Sequence, residues 1–212
     1  MGLQNIKTGL GNGGNGIIAD IDGANLGKRI ALRADIDVLP IKEETGLACS
    51  SVNDGYMHAC GHDNHIAMLI GAAKIINKNR NELTGSVRLI FQPAEELSPE
   101  GGAKSMIADG ALDGVDAIFG FHVWPELPFG VTGFKQGPLM AASDHFYVDI
   151  KGKATHAASP EKGVDVLLAG AEYVLAVQQI VSRNVSAIDN IVLKIIVKNL
   201  HMLYIKLNWD CY

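Results

Sequence analysis

Apolar and polar positions along the chain change their period several times, and each change marks an element. Residues 29–35 (RIALRAD) form a short apolar-rich run ending in a carboxylate, with Asp37 just beyond and then Pro40 and a loop holding Gly46 and Gly55. This predicts a buried strand that delivers acidic side chains at its C-terminal end. From Asp63 to Asn79, Ile66, Leu69, Ile70, Ala73 and Ile76 recur at helical spacing, with Lys74 and Lys78 toward the C-terminus. Residues 86–91 (SVRLIF) predict a second strand running into Gln92, Pro93, Ala94, Glu95 and Glu96. A short helix is expected from Gly102 to Asp109, and residues 116–122 (DAIFGFH) predict a third strand ending in His122. Strands alternating with helices in this way predict an α/β layer with a mostly parallel sheet.

The pattern shifts near His145. Residues 145–152 alternate as a half-buried strand does, a polar loop covers 153–163, and 164–181 is an apolar-rich helix. Two units are therefore expected, 1–144 and a smaller α+β unit, 145–212. Near the start, Gly9, Gly11 and Gly14 match G-x-G-x-x-G, but a dinucleotide fingerprint must follow a strand and open a helix. Residues 17–21 (IIADI) after the tract read as a strand, so a glycine-rich hairpin turn is the better reading.

Composition narrows the function classes. In 212 residues, 48% are hydrophobic and 19% charged, an ordinary balance for a globular chain that rules out disorder. The formal net charge of -5 and the lack of a long Lys/Arg run argue against nucleic acid as a partner. No window approaches the roughly 18 apolar residues of a membrane span, and the N-terminus lacks a signal-peptide pattern, so a cytoplasmic protein is expected. Cys49, Cys60 and Cys211 are an odd set, which points to reduced thiols rather than a disulfide framework.

The stretch MHACGHDNH, residues 57–65, concentrates a thiol, three imidazoles and a carboxylate just before the first helix. A Cys-x-His pair alone does not specify a metal. Glu95 and Glu96 close one strand and His122 another, so thiolate, imidazole and carboxylate can converge where open α/β sheets place their sites. Mixed ligation with a spare carboxylate is what metal-assisted hydrolysis needs, because one group must remain to move the water's proton. Taken singly, each residue has a plainer reading: Cys60 as a small hydrophobe, Glu95 and Glu96 as an acidic surface loop, His122 as a hydrogen-bonded core residue, His58 and His65 as satisfied histidines, Asp35 or Asp37 as a turn cap.

Five ordered motifs carry a family resemblance: LRADIDVLP (32–40), MHACGHD (57–63), FQPAEE (91–96), FGFHVWP (119–125) and THAASP (155–160). Together they resemble the amidohydrolase branch of the M20 metallopeptidases, which includes N-acyl-amino-acid amidohydrolases, hippurate hydrolases and auxin-conjugate hydrolases. The resemblance implies a catalytic domain with a mostly parallel sheet and a smaller lid and dimerisation domain. It implies two divalent ions (zinc, manganese, cobalt or nickel) held by Cys60, His62, Glu96 and His122, with Glu95 as general acid/base and Asp37 supporting the centre. His156 is implied to stabilise the oxyanion, the substrate to be an N-acyl amino acid, and the assembly to be a homodimer. The resemblance ends near Asn190, and residues 191–212 diverge. Relative to the family the chain reads as truncated: the rest of the lid, the returning part of the catalytic domain and a further histidine ligand are expected outside it, and His201 has no surrounding match. Two rival readings accompany this one, a non-catalytic remnant that serves as a binding partner and a single structural zinc held by Cys60 and nearby histidines.

Overall fold

The structure is a computed structural model that describes residues 2–97, 100–137, 139–140, 146–186 and 193. The chain divides into two compact units, residues 1–128 and 129–212. The first is built on a five-stranded sheet from β1 (Gln4–Leu10), β2 (Gly16–Asp22), β3 (Asn25–Asp35), β4 (Thr84–Gln92) and β5 (Ala117–Gly120), in the order β1-β2-β4-β3-β5. β3 is parallel to both β4 and β5, while β1 and β2 add an antiparallel hairpin at the β4 side. The glycine tract joins β1 to β2, so it turns a hairpin as its composition suggested. The strands expected over 29–35, 86–91 and 116–122 all form, the last as the shorter Ala117–Gly120.

Helices cover both faces, which is why β2, β4 and the second half of β3 place apolar residues on both sides of the sheet. Successive residues of a strand point to opposite faces, so β4 sends Val87 and Leu89 one way and Ile90 the other. Val87 and Leu89 join Ile21, Ala34 and the α1 residues Leu69 and Ala73, α1 being His62–Lys78. Ile90 joins Ile18, Ala31, Ala111 and Met106 of the short helix α2, Ala103–Ala108. Ile18, Ile21 and Leu89 are each 1% exposed, and burying such a side chain contributes about 1.5–3 kcal/mol. β5 is an edge strand, and its Ile118 and Phe119 remain half-exposed.

Register carries this core to the site. Asp35 at the end of β3 pairs with Gln92 at the end of β4, and Gly120 at the end of β5 pairs with Arg33. Three parallel strands thus finish on one edge of the sheet, and the crossover from β3 to β4 starts α1 at that edge too.

In the second unit, α3 spans Val166–Gln179, with the Asp165 carboxylate accepting from the backbone N–H groups of Leu167 at 2.8 Å and Leu168 at 3.2 Å. The strand expected over 145–152 does not form across 146–152, the part the structure describes. A strand exists only as a ladder, and among the described residues this stretch is followed by a single antiparallel bridge, Lys153 to Val164. The divergent tail lies outside the described residues except for position 193, and His201 lies outside them.

Candidate metal centre

Four chain segments meet at that edge of the sheet. Asp37 follows β3, and Glu95 and Glu96 follow β4 after a turn in which Ala94 takes φ 55°. A non-glycine residue there is uncommon and costs energy, which packing around it must supply. The Ala94 carbonyl accepts from Gly102 N–H at 2.9 Å, and a Cβ at Gly102 would stand 1.8 Å from the Pro93 oxygen. The acidic pair is therefore held by a tight loop. His122 lies two residues past β5, and Cys60 and His62 flank Gly61, whose φ of 82° starts α1. A Cβ on Gly61 would sit 2.5 Å from Val123 Cγ2, so only glycine lets this helix start approach the segment after β5 that bears His122.

His62 is 1% exposed, and its two nitrogens are treated differently. Nδ1 lies 3.0 Å from Asp37 Oδ1 and 3.2 Å from the Asp37 carbonyl oxygen, both acceptors, so it carries the proton. Asp37 is itself placed by Glu96 N–H, which donates to its Oδ2 at 2.9 Å. Nε2 is buried with no hydrogen-bond partner. Around it stand Asp35 Oδ2 at 3.7 Å, Glu95 Oε2 at 3.9 Å and Glu96 Oε1 at 3.9 Å, all beyond hydrogen-bond reach. His122 shows the same polarity: its Nδ1 donates to the Val123 carbonyl at 2.6 Å, leaving Nε2 3.5 Å from Cys60 Sγ.

Donor atoms of Cys60, His62 and His122 fall within 4.8 Å of one another, as do those of His62, Glu95 and Glu96. His62 belongs to both groups. The carboxylates leave a strongly negative site. Partial burial, then a hydrogen bond and charge from Glu96 and the charges of Glu95 and Asp35, push the Cys60 thiol up to about 12. Burial and the charge of Glu96 likewise hold Glu95 above the ordinary carboxylate value, against the pull of Arg33 and His62. A cation would reverse the balance at Cys60, because a coordinated thiol gives up its proton.

These donors fit divalent metal. A buried imidazole nitrogen with no partner, oriented by a carboxylate on its other nitrogen, is the arrangement of a histidine ligand. Two bonds of about 2.0–2.2 Å to one ion span gaps like those around Nε2. A cavity of about 1390 Å³, lined by Cys60, His122, Trp124, Tyr56, Val52 and Leu47 among others, opens beside the cluster.

The model of peptidase family M20/M25/M40 matches residues 31–198. The chain belongs to this family. It is 50% identical over 180 residues to the N-acetyl-L-cysteine deacetylase of Bacillus subtilis, covering 85% of this chain and 43% of that one. It is 45% identical over 179 residues to the N-acyl-L-amino acid amidohydrolase of Geobacillus stearothermophilus, covering 84% of this chain and 48% of the relative. The M20 chain thus spans a little under half the length of these curated relatives. Among solved structures it is similar to the Bacillus subtilis YXEP protein, described as a dinuclear metal binding peptidase from the M20 family, at 42% identity and a TM-score of 0.64, covering 91% of this chain and 49% of that one.

Of the residues singled out by motif, the first unit brings together Cys60, His62, Glu95, Glu96, His122 and Asp37. His156 belongs to the second unit, exposed on a turn where its Nδ1 accepts from Ala158 N–H at 3.1 Å. Asp35 and His65, left as a turn cap and a satisfied histidine by the sequence, are buried within the cluster. One signal was available for His65: residues three apart share a helix face, and His62, His65, Leu69 and Ala73 form the buried stripe of α1.

Proposed function

We propose that this chain carries the metal-binding portion of an enzyme that hydrolyses the amide bond of N-acyl amino acids. Cys60, His62, Glu96 and His122 hold two divalent cations, and Glu95 is the general acid/base. The observation that carries the reading is the buried, partnerless Nε2 of His62, ringed by carboxylates at 3.7–3.9 Å. Buried polar groups are normally hydrogen-bonded, and an orphan nitrogen facing three carboxylates is the place for a cation. The relatives named for N-acyl-amino-acid and N-acetylcysteine hydrolysis supply the substrate class.

Bound divalent cations supply Lewis acidity toward the amide carbonyl and make water acidic. The remaining work belongs to the chain. Asp37 holds His62 in the tautomer that presents Nε2, and the Val123 carbonyl does the same for His122. Glu95, which stands over the cluster and is 42% exposed at its side chain, takes the proton of the attacking water on a carboxylate oxygen and returns it to the leaving nitrogen. The family resemblance assigns stabilisation of the tetrahedral oxyanion to His156. Thiolate, imidazole and carboxylate together suit zinc, manganese, cobalt or nickel. No helix among the described residues is long and apolar enough to cross a membrane.

The test is metal per chain by elemental analysis on the purified, monodisperse protein, beside Cys60→Ser. Near two equivalents, reduced in the variant, is expected. A metal-free preparation with native-like circular dichroism sinks the proposal.

A further inference from the structure

α1 buries two histidines side by side, and the proposed centre uses one. His65 is 2% exposed, and its ring lies 5.4 Å from that of His62 and 4.6 Å from that of His122. Asp35, His62 and His65 offer donor atoms within 4.8 Å of one another, so His65 is a candidate ligand by proximity. Its hydrogen bonds say otherwise. Nδ1 is 2.5 Å from Asp35 Oδ1, and Nε2 is 2.9 Å from the backbone nitrogen of Val123. A backbone N–H can only donate, so Nε2 accepts and Nδ1 donates to the carboxylate. Both nitrogens are committed, and no lone pair remains for a cation.

What these bonds hold is the peptide next to a ligand. The Val123 N–H is tied to His65, and the Val123 carbonyl accepts from His122 Nδ1 at 2.6 Å, which turns His122 Nε2 toward Cys60. Behind His65, Asp35 is anchored by Arg33 Nη1 at 2.7 Å, and Arg33 Nε donates to Gln92 Oε1 at 3.0 Å. An unbroken chain of hydrogen bonds therefore runs from β4 through β3 and α1 to the segment after β5. His122 itself is exposed and sits on that irregular segment, so its own surroundings do little to fix it.

We infer that His65 is a positioning residue of the metal centre, which sets the geometry of His122 through the Val123 peptide and binds no metal itself. The inference rests on the two-metal reading above. Partners of this kind usually change metal affinity by about 10–100-fold when removed.

Cobalt(II) binding to the full chain tests it, read as affinity against a competing chelator and as the visible d–d and thiolate charge-transfer bands. His65→Phe keeps the ring volume and removes both bonds; it should weaken cobalt binding about 10–100-fold and shift the bands, with the far-ultraviolet circular dichroism unchanged. His65→Gln, whose amide oxygen can accept from Val123 and whose NH2 can donate to Asp35, should recover most of the affinity. In a His122→Ala background, His65→Phe should cost little more, because the two act as one unit. Wild-type affinity in His65→Phe overturns the inference and leaves the metal reading standing. So does equal weakening in the Phe and Gln variants, or full additivity with His122→Ala. A wild-type chain that takes up no cobalt overturns the metal reading and this inference with it.

Discussion

Beside the loop that follows α2, Asp20 and Arg88 close on each other; at the carboxyl ends of β3, β4 and β5, the buried polar groups do not close. Asp20 is fully buried, and Arg88 donates to both its oxygens at 2.8 and 3.0 Å. The remaining guanidinium nitrogen reaches the carbonyls of Ala111 at 3.2 Å and Asp113 at 3.1 Å. The carboxylate meets its matching charge in Arg88, with Asn5 Nδ2 donating at 3.3 Å and Arg29 Nη2 3.8 Å away, and no oxygen of Asp20 is left unpaired. The second cluster sets Asp35, Asp37, Glu95 and Glu96 around a thiol and three histidines, and it leaves His62 Nε2 without a partner. Both clusters draw on β4. The difference teaches that a buried polar network held for structure is balanced internally, while one held for chemistry keeps an opening for a charge from outside.

That contrast can be broken or sharpened by experiment. The largest effect is expected from Glu95→Gln, which should lower turnover of an N-acyl amino acid by about 10²–10⁴-fold with metal content and melting temperature unchanged. Unchanged turnover would show the wrong residue has been named as base. Next, Arg88→Met strands a buried carboxylate and should cost about 3–5 kcal/mol in urea unfolding. Replacing Asp20 and Arg88 together by apolar residues should cost much less, and equal losses would mean that the pair is not a closed unit.

Metal should act on the open cluster in the opposite sense. Supplied at a hundredfold excess over its dissociation constant, it should add about 2.7 kcal/mol to stability, and chelation should abolish turnover while the sheet persists by circular dichroism. Global unfolding on chelation would favour a single structural zinc instead. Gly61→Ala should cost about 1–2 kcal/mol from its left-handed backbone alone, and more from the contact with Val123 Cγ2; reduced metal uptake alongside a lower melting temperature checks both.

The smallest effect is a pH dependence. Burial alone raises the Asp20 pKa, but the hydrogen bonds and charge of Arg88, helped by Asn5 and Arg29, bring it below the ordinary value. A depressed folded pKa means that its stabilisation is fully present above the unfolded value of about 3.9 and is lost as pH falls through the lower folded value. Stability measured from pH 5 downward should therefore fall less steeply in Asp20→Asn than in the wild-type chain, and parallel curves would remove Asp20 from the acid response.

Much of this was legible in the chain. Periodicity placed the three parallel strands and α1 because both faces of the sheet and one stripe of the helix are buried, which writes itself into apolar spacing. Cys60, His62, Glu95, Glu96 and His122 could be placed near one another from the sequence because they fall where a helix starts or just past strand ends, where a parallel sheet gathers side chains. The strand expected across 145–152 was not recovered, since alternation records a half-buried face but not a ladder partner. Asp35 and His65 read in sequence as a turn cap and a satisfied histidine; His65 is satisfied at both nitrogens, but what its bonds hold was not legible. A buried Asp or His reads identically in sequence whether it caps a turn, satisfies a neighbour or steers a ligand; only its partners distinguish these roles.

The sequence by itself determined the order of the elements in this M20 chain and which ionisable groups fall at their ends, because those facts depend on residue type and local period alone. Only the tertiary structure decided which histidine stays open and which is closed. His62 and His65 lie three residues apart on one helix face, and what separates them is where other strands end: Asp37 occupies one nitrogen of His62 and leaves Nε2 bare, while Asp35 and the Val123 N–H occupy both nitrogens of His65. Hydrogen-bond closure is a property of atoms brought together across the fold, and no local pattern encodes it.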